Sequence, residues 1–213
     1  MSRSGYRALL LAVSLALLAG YVDALGYLFL NGFFVSFMSG NSTKLSVGVA
    51  TADRSAILTA SALIALFVAG VIAGTLTGRE HPGRRRRVLL LVAALLVLAA
   101  LSASLGRNAW AIGLATAALG AANNVVQKAG SISISVTYMT GTLVKMGQGI
   151  AAALSGGPGW AWLPYALLWA SLTLGAVAGA ALYPLWHLQG LWPAAMWCGA
   201  LTLIVRPNPA REE

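Results

Sequence analysis

The sequence predicts an all-α polytopic membrane protein. Three observations carry this: a composition too apolar for water, six apolar stretches near membrane-crossing length, and self-similarity between the two halves of the chain. Hydrophobic residues are 59% of the 213 and charged residues only 9%, against roughly 45–50% and 25% in a soluble globular domain. The apolar stretches fall near 8–30, 55–78, 88–105, 109–128, 160–182 and 188–205, each close to the ~20 residues that a helix needs to cross ~30 Å of hydrocarbon. They do not alternate like the ~10-residue strands of a barrel, and backbone groups in lipid must bond within their own segment, so each is read as a helix.

The first stretch follows Arg3 and Arg7 and has the outline of a secretory signal, but its length and polar far end predict an uncleaved helix. The formal net charge of +9 does not point to nucleic acid. Five arginines, Arg79 and Arg84 to Arg87, crowd one short loop beside helix ends, as the positive-inside tendency requires. The one cysteine, Cys198, has no disulfide partner.

Laid on itself at a constant offset, Ser36-Phe37-Met38-Ser39-Gly40-Asn41-Ser42-Thr43-Lys44 matches Thr137-Tyr138-Met139-Thr140-Gly141-Thr142-Leu143-Val144-Lys145. The same offset carries Gly48 onto Gly149, Gly74 onto Gly175, Gly78 onto Gly179 and Asp23 onto Asn124. We therefore expect two structural repeats, 1–106 and 107–213. The first holds helices 8–30, 55–78 and 88–105 with an interrupted polar segment 31–52. The second holds helices 109–128, 160–182 and 188–205 with an interrupted segment 131–153. If Arg3, Arg7 and the Arg79–Arg87 cluster share the cytoplasmic side, the interrupted segment crosses only halfway and each repeat has three crossings. The second repeat is then inverted, and Arg206 and Arg211 also fall inside. A fully crossing segment would instead give parallel repeats.

All eleven arginines flank apolar runs, whereas the three lysines, Lys44, Lys128 and Lys145, lie within the repeat cores with Asp23. A charge at membrane depth is costly and normally faces protein or a water-filled cavity. Lys44 and Lys145 follow small, hydroxylated residues: Ser39, Gly40 and Asn41 in one repeat, Thr140, Gly141 and Thr142 in the other. A half-helix starting near Gly40 or Gly141 would turn unpaired N–H groups toward an anionic or polar solute. The plain alternative is that the hydroxyls bond to their own helix and the lysines reach for an interface. Asp23 is expected to pair with a lysine or to carry a coupling proton, or else to hold neighbouring backbone. Asn123, Asn124 and Gln127 form a polar stripe suited to helix contact or solute contact. Gly70, Gly74 and Gly78, with Ser171, Gly175 and Gly179, put small residues on one face for close helix packing. Trp160, Trp162, Trp169, Trp186, Trp192 and Trp197 are read as interfacial anchors.

Chemistry has little material here. His81 and His187 are the only histidines, and no zinc-protease, nucleophile-elbow or phosphate-loop pattern occurs. No enzyme activity, metal or cofactor is expected. The segments quoted above, with Tyr21-Val22-Asp23-Ala24-Leu25-Gly26, resemble the YoaK-type family of bacterial integral membrane proteins of unknown function (domain of unknown function 1275). The resemblance covers nearly the whole chain and implies a multi-pass protein of the bacterial inner membrane, with both termini cytoplasmic on the charge pattern above. The expected function is transport, secondary-active, of a small solute held by Lys44, Lys145, Asn41, Ser39, Gly40, Thr140, Gly141, Thr142 and Asn124. A channel of the same architecture and a non-transporting scaffold or sensor are the alternatives. The expected partners are the solute and the lipid bilayer, with room for a homo-oligomer and none for nucleic acid.

Overall fold

A computed structural model describes residues 3–78, 83–126, 128–129, 132–133 and 138–205. Arg79, His81, Gln127, Ser135, Thr137, Arg206 and Arg211 lie outside these residues, as do the side chains of Arg3 and Lys128. The described chain is helical apart from one small antiparallel pair: α1 Arg3–Phe29, α2 Met38–Ala50, α3 Arg54–Gly78, α4 Arg84–Ser104, α5 Asn108–Ala122, β1 Lys128–Ala129, β2 Ile132–Ser133, α6 Met139–Leu154, α7 Leu163–Trp186 and α8 Leu191–Ile204. A 3₁₀ turn, His187–Gly190, joins the last two helices.

Four stretches are long and apolar enough to cross a bilayer: Gly5–Phe29, Arg54–Gly78, Arg84–Ser104 and Leu163–Ile204, the last containing both α7 and α8. The helix expected over 109–128 is shorter and stops at Ala122. Its end is tightened by i→i−3 bonds from the amides of Asn123, Asn124 and Val125 to Gly120, Ala121 and Ala122. Asparagine side chains compete for backbone partners and favour such ends over helix interiors.

Packing is set by glycine. Added side-chain carbons at Gly20, Gly175 and Gly179 would strike the carbonyls of Leu172, Leu17 and Tyr21, so the backbones of α1 and α7 touch. Gly70 and Gly120 likewise press on the carbonyls of Ala117 and Phe67, and Gly74 meets Ala121, joining α3 to α5. Lipid is as apolar as leucine, so close van der Waals contact of this kind, rather than escape from water, holds such helices together. In the membrane-length windows 67% of α1 is buried but only 17% of α3. Thus α1 is a central post, and Leu58, Val68, Ile72 and Leu76 of α3 are exposed on surface suited to acyl chains.

These contacts also fix directions. Leu17 meets Gly175 and Tyr21 meets Gly179, so α1 and α7 run the same way; Ala117 with Gly70 and Ala121 with Gly74 give α5 and α3 the same relation. By contrast α4 and α8 are antiparallel, with Arg86 Nε donating to Thr202 O (3.4 Å) and Trp192 Nε1 to Ser104 Oγ (3.1 Å). Trp197 Nε1 donates to Ser14 Oγ (2.9 Å) while Gly190 packs on Leu25, so α8 also opposes α1. Trp197 and Trp192 therefore anchor helix to helix. The start of α1, the start of α4 and the end of α8 share one end of the bundle. Taking that end as the base, α1 rises, α3 falls, α4 rises, α5 falls, α7 rises and α8 falls.

Candidate functional site

Helices α2 and α6 do not fit that up-and-down series. With 13 and 16 residues they are about 20 and 24 Å long, less than the ~30 Å of hydrocarbon, as are α5 and α8 with 15 and 14; direction is what sets α2 and α6 apart. Each forms a hairpin with its successor: Gly48 packs on Ala56 and Asp53, closing α2 on α3, and Gly149 packs on Trp162, closing α6 on α7. So α2 rises as α1 does, and α6 falls as α5 does.

What lets α2 start partway down is the chain reversal after α1. Asn31 and Gly32 adopt φ of 51° and 100°, a left-handed pair that glycine and asparagine tolerate best. The returning strand then runs back along α1 until Asp23 Oδ1 accepts the amides of Val35 and Ser36, both at 2.8 Å. Asp23 lies about 9 Å short of the end of α1, so the loop descends by that depth before α2 begins. Asn41, fully buried, holds the same loop from the other side: its Oδ1 accepts Phe34 N at 3.0 Å and its Nδ2 donates to Phe34 O at 2.6 Å. Two side chains thus satisfy four backbone groups of a non-helical strand, the requirement for irregular backbone at membrane depth. Among the described residues Asp23 forms no ion pair; its partners are these backbone amides and the Ser36 hydroxyl, so of the uses the sequence allows it is seen holding neighbouring backbone and not paired with a lysine. The amides have no helical acceptor of their own, and the carboxylate is within reach of both.

The predicted solute-binding residues divide into two groups. Ser39 is exposed, and Gly40 faces the rings of Phe34 and Phe37. Ser42 and Thr43 donate to Met38 O (2.9 Å) and Ser39 O (3.2 Å) of their own helix. Half-buried Lys44 carries its ammonium over the Phe33 ring, 4.7 Å from the centroid, a cation–π distance. In the other group Thr140 is exposed, Gly141 faces the Tyr138 ring, buried Thr142 donates to Tyr138 O (3.2 Å), and Lys145 Nζ lies 5.7 Å from the Tyr165 centroid. The groups sit in separate packing arrangements, α2 against α3 and α6 against α7.

Asn124 joins α5 to α3 and α4. Its Nδ2 donates to Val71 O (3.1 Å), its Oδ1 accepts from Thr75 Oγ1 (3.0 Å), and its carbonyl accepts from Arg84 Nη2 (3.1 Å). Helix contact is one of the two uses the polar stripe predicts, but nothing in the sequence singles out Thr75 and Arg84 as its partners. The aromatic cluster beside Lys44 is also absent from the predicted site; its signal is the run Phe33-Phe34 with Phe37 inside an otherwise polar segment. No group of three or more His, Cys, Asp or Glu that could hold a metal occurs among the described residues.

Comparison with known proteins agrees with the membrane architecture. A UPF0700 transmembrane protein, RA0705 of Rhizobium meliloti (strain 1021), is 32% identical over 203 residues, covering 95% of this chain and 88% of that protein. A second, the UPF0700 transmembrane protein YoaK of Bacillus subtilis (strain 168), is 31% identical over 163 residues, 72% of each chain. No solved structure matches significantly. The model of the family described as "Protein of unknown function (DUF1275)" matches residues 11–204, and with it the chain takes its place: it belongs to the DUF1275 family of transmembrane proteins.

Proposed function

We propose that this protein is a secondary-active transporter of a small polar or anionic solute, not an enzyme, built on two inverted repeats of the bacterial inner membrane with both termini cytoplasmic. The observation that carries the reading is the order of helix directions. The first half runs up, up, down, up and the second down, down, up, down, each with a short helix in second place that runs the same way as the helix before it, the first of them reached through irregular backbone. Inverted halves with discontinuous helices are a recurrent transporter design, and the irregular backbone marks the solute path. The glycine contacts fit it too, since α1 with α7 and α5 with α3 are the same pair with the halves exchanged. By those contacts Gly70 answers to Gly175 and Gly74 to Gly179, one turn away from the sequence offset; the longer connection between α6 and α7 accounts for the slip.

Within this reading Lys44 and Lys145 supply positive charge to the solute. Ser39, Gly40, Thr140, Gly141 and Thr142 shape the two half-helix starts, Asn41 and Asn124 hold the backbone around them, and Asp23 couples loop position to proton or cation binding. The test is a solute screen on purified protein followed by counterflow in proteoliposomes. A transported solute stabilises the wild type, by ~2.7 kcal/mol at 100 times its dissociation constant, and shows saturable counterflow that Lys44→Ala and Lys145→Ala diminish. Flux without counterflow identifies a channel instead. A protein that neither binds nor moves any solute, with lysine variants altering only assembly, is a scaffold.

A further inference from the structure

The surroundings of Lys44 narrow the class of solute. The ammonium lies 4.7 Å from the centre of the Phe33 ring, and among the described residues it has no hydrogen bond or carboxylate partner. Over Gly32, the point where a side-chain carbon would stand is 3.4 Å from Lys44 Nζ and 3.8 Å from the edge of the Tyr27 ring. The cation and that ring therefore lie against buried Gly32, each within contact of where its side chain would begin, so that the charge and the Tyr27 ring are close neighbours. From Tyr27 the aromatic surface continues: its centroid is 5.0 Å from that of Phe34, which is 5.2 Å from Phe37 in an edge-to-face contact. Tyr27 is 42% exposed, so part of its ring is open to a ligand.

A half-buried cation lacking a counter-charge attracts an anion, and ring faces at 4.5–7 Å spacing accept another ring by offset or edge stacking. A positive group beside a continuous aromatic wall matches a ligand with both features. We infer that the first-half segment binds an aromatic carboxylate or similar planar aromatic anion, its charge on Lys44 Nζ and its ring against Tyr27 and Phe34. The inference rests on the transporter reading's assignment of Lys44 to the solute and adds the chemical class.

The experiment compares the full-length protein in neutral detergent with millimolar benzoate, cyclohexanecarboxylate, acetate, phenol and inorganic phosphate, and with added phosphatidylglycerol, reading the unfolding midpoint. Benzoate is expected to raise the midpoint by about 2–4 °C, the size of shift that modest binding stabilisation gives a chain of this length, and the other probes by less. Lys44→Gln abolishes the shift, Lys44→Arg keeps part of it, and Phe33→Leu and Tyr27→Leu weaken benzoate about fivefold, while Arg107→Gln, an exposed cation between α4 and α5, responds as wild type. If Lys44→Gln does not fold, the arginine and leucine variants carry the test. Equal response to cyclohexanecarboxylate and benzoate overturns the aromatic class and leaves an anion site standing. A Lys44-dependent response to phosphatidylglycerol alone overturns it in favour of a lipid headgroup. No response to any anion in the wild type overturns this inference and leaves the transporter reading to be decided by the wider solute screen and counterflow.

Discussion

The residues in register around the starts of α2 and α6 make different contacts. At the first, Asp23 and Asn41 bind Phe34, Val35 and Ser36 at four backbone atoms. At the second, the residues in register turn to other partners: Thr142 donates to its own helix at Tyr138 O, and Asn124 ties α5 to Val71 and Thr75 of α3. A carboxylate stands where two backbone amides converge, and an amide where a carbonyl and a hydroxyl must both be met. Residues in register in the sequence thus meet different needs, each matched to the donors and acceptors it faces. Each lysine, in contrast, lies near an aromatic ring, Lys44 4.7 Å from the Phe33 centroid and Lys145 5.7 Å from that of Tyr165.

Substitutions can break or sharpen this contrast. The largest effect is expected where both halves depend on touching backbones. Gly20→Val should cost about 3 kcal/mol or more, because the new side chain cannot share space with Leu172 O; unfolding in detergent measures it, and Gly70→Val should match it if the two helix pairs are equivalent. Next comes the loop clamp. Asp23→Ala leaves two amides without an acceptor and should cost about 2–3 kcal/mol, whereas Asp23→Asn, which keeps an acceptor oxygen, should recover most of the stability while losing any coupling in flux assays. Asn41→Ala should cost about 1–2 kcal/mol and Thr142→Val less than about 0.5 kcal/mol; equal costs would erase the distinction between the two half-helix starts. Small and of opposite sign is the effect of Gly147→Ala on α6, where nothing lies within 4 Å. A gain of about 0.5–1 kcal/mol from helix propensity is expected there, and a loss would mean that α6 needs its glycine for close approach to something else.

Much of the helix layout was legible because apolar length and arginine placement are written residue by residue. The extents of α3, α4 and α7 follow from them, and the close-packing face of Gly70 and Gly74 follows from spacing. Three things were not. The partner of each glycine face is a long-range fact: the spacing of Gly175 and Gly179 says that a helix comes close but not that it is α1. The role of Asp23 depends on where the chain reverses, and so on the left-handed pair Asn31 and Gly32 bringing Val35 and Ser36 back to it. The end of α5 at Ala122 depends on Asn124 finding partners on α3 and α4, which no local pattern announces.

The glycine seam between α1 and α7 has a consequence for how the protein is made. Helix α1 ends at Phe29 and its partner begins at Leu163, so about 130 residues are synthesised between them. At roughly 5–20 residues per second the most buried helix of the finished molecule waits some 7–27 s in the bilayer before its mate emerges. During that interval Gly20 and the carbonyls of Leu17 and Tyr21 face lipid or the insertion machinery. Assembly is therefore closed by a late-arriving helix, and a ribosome that stalls before α7 leaves an inserted chain whose central post lacks its most extensive contact.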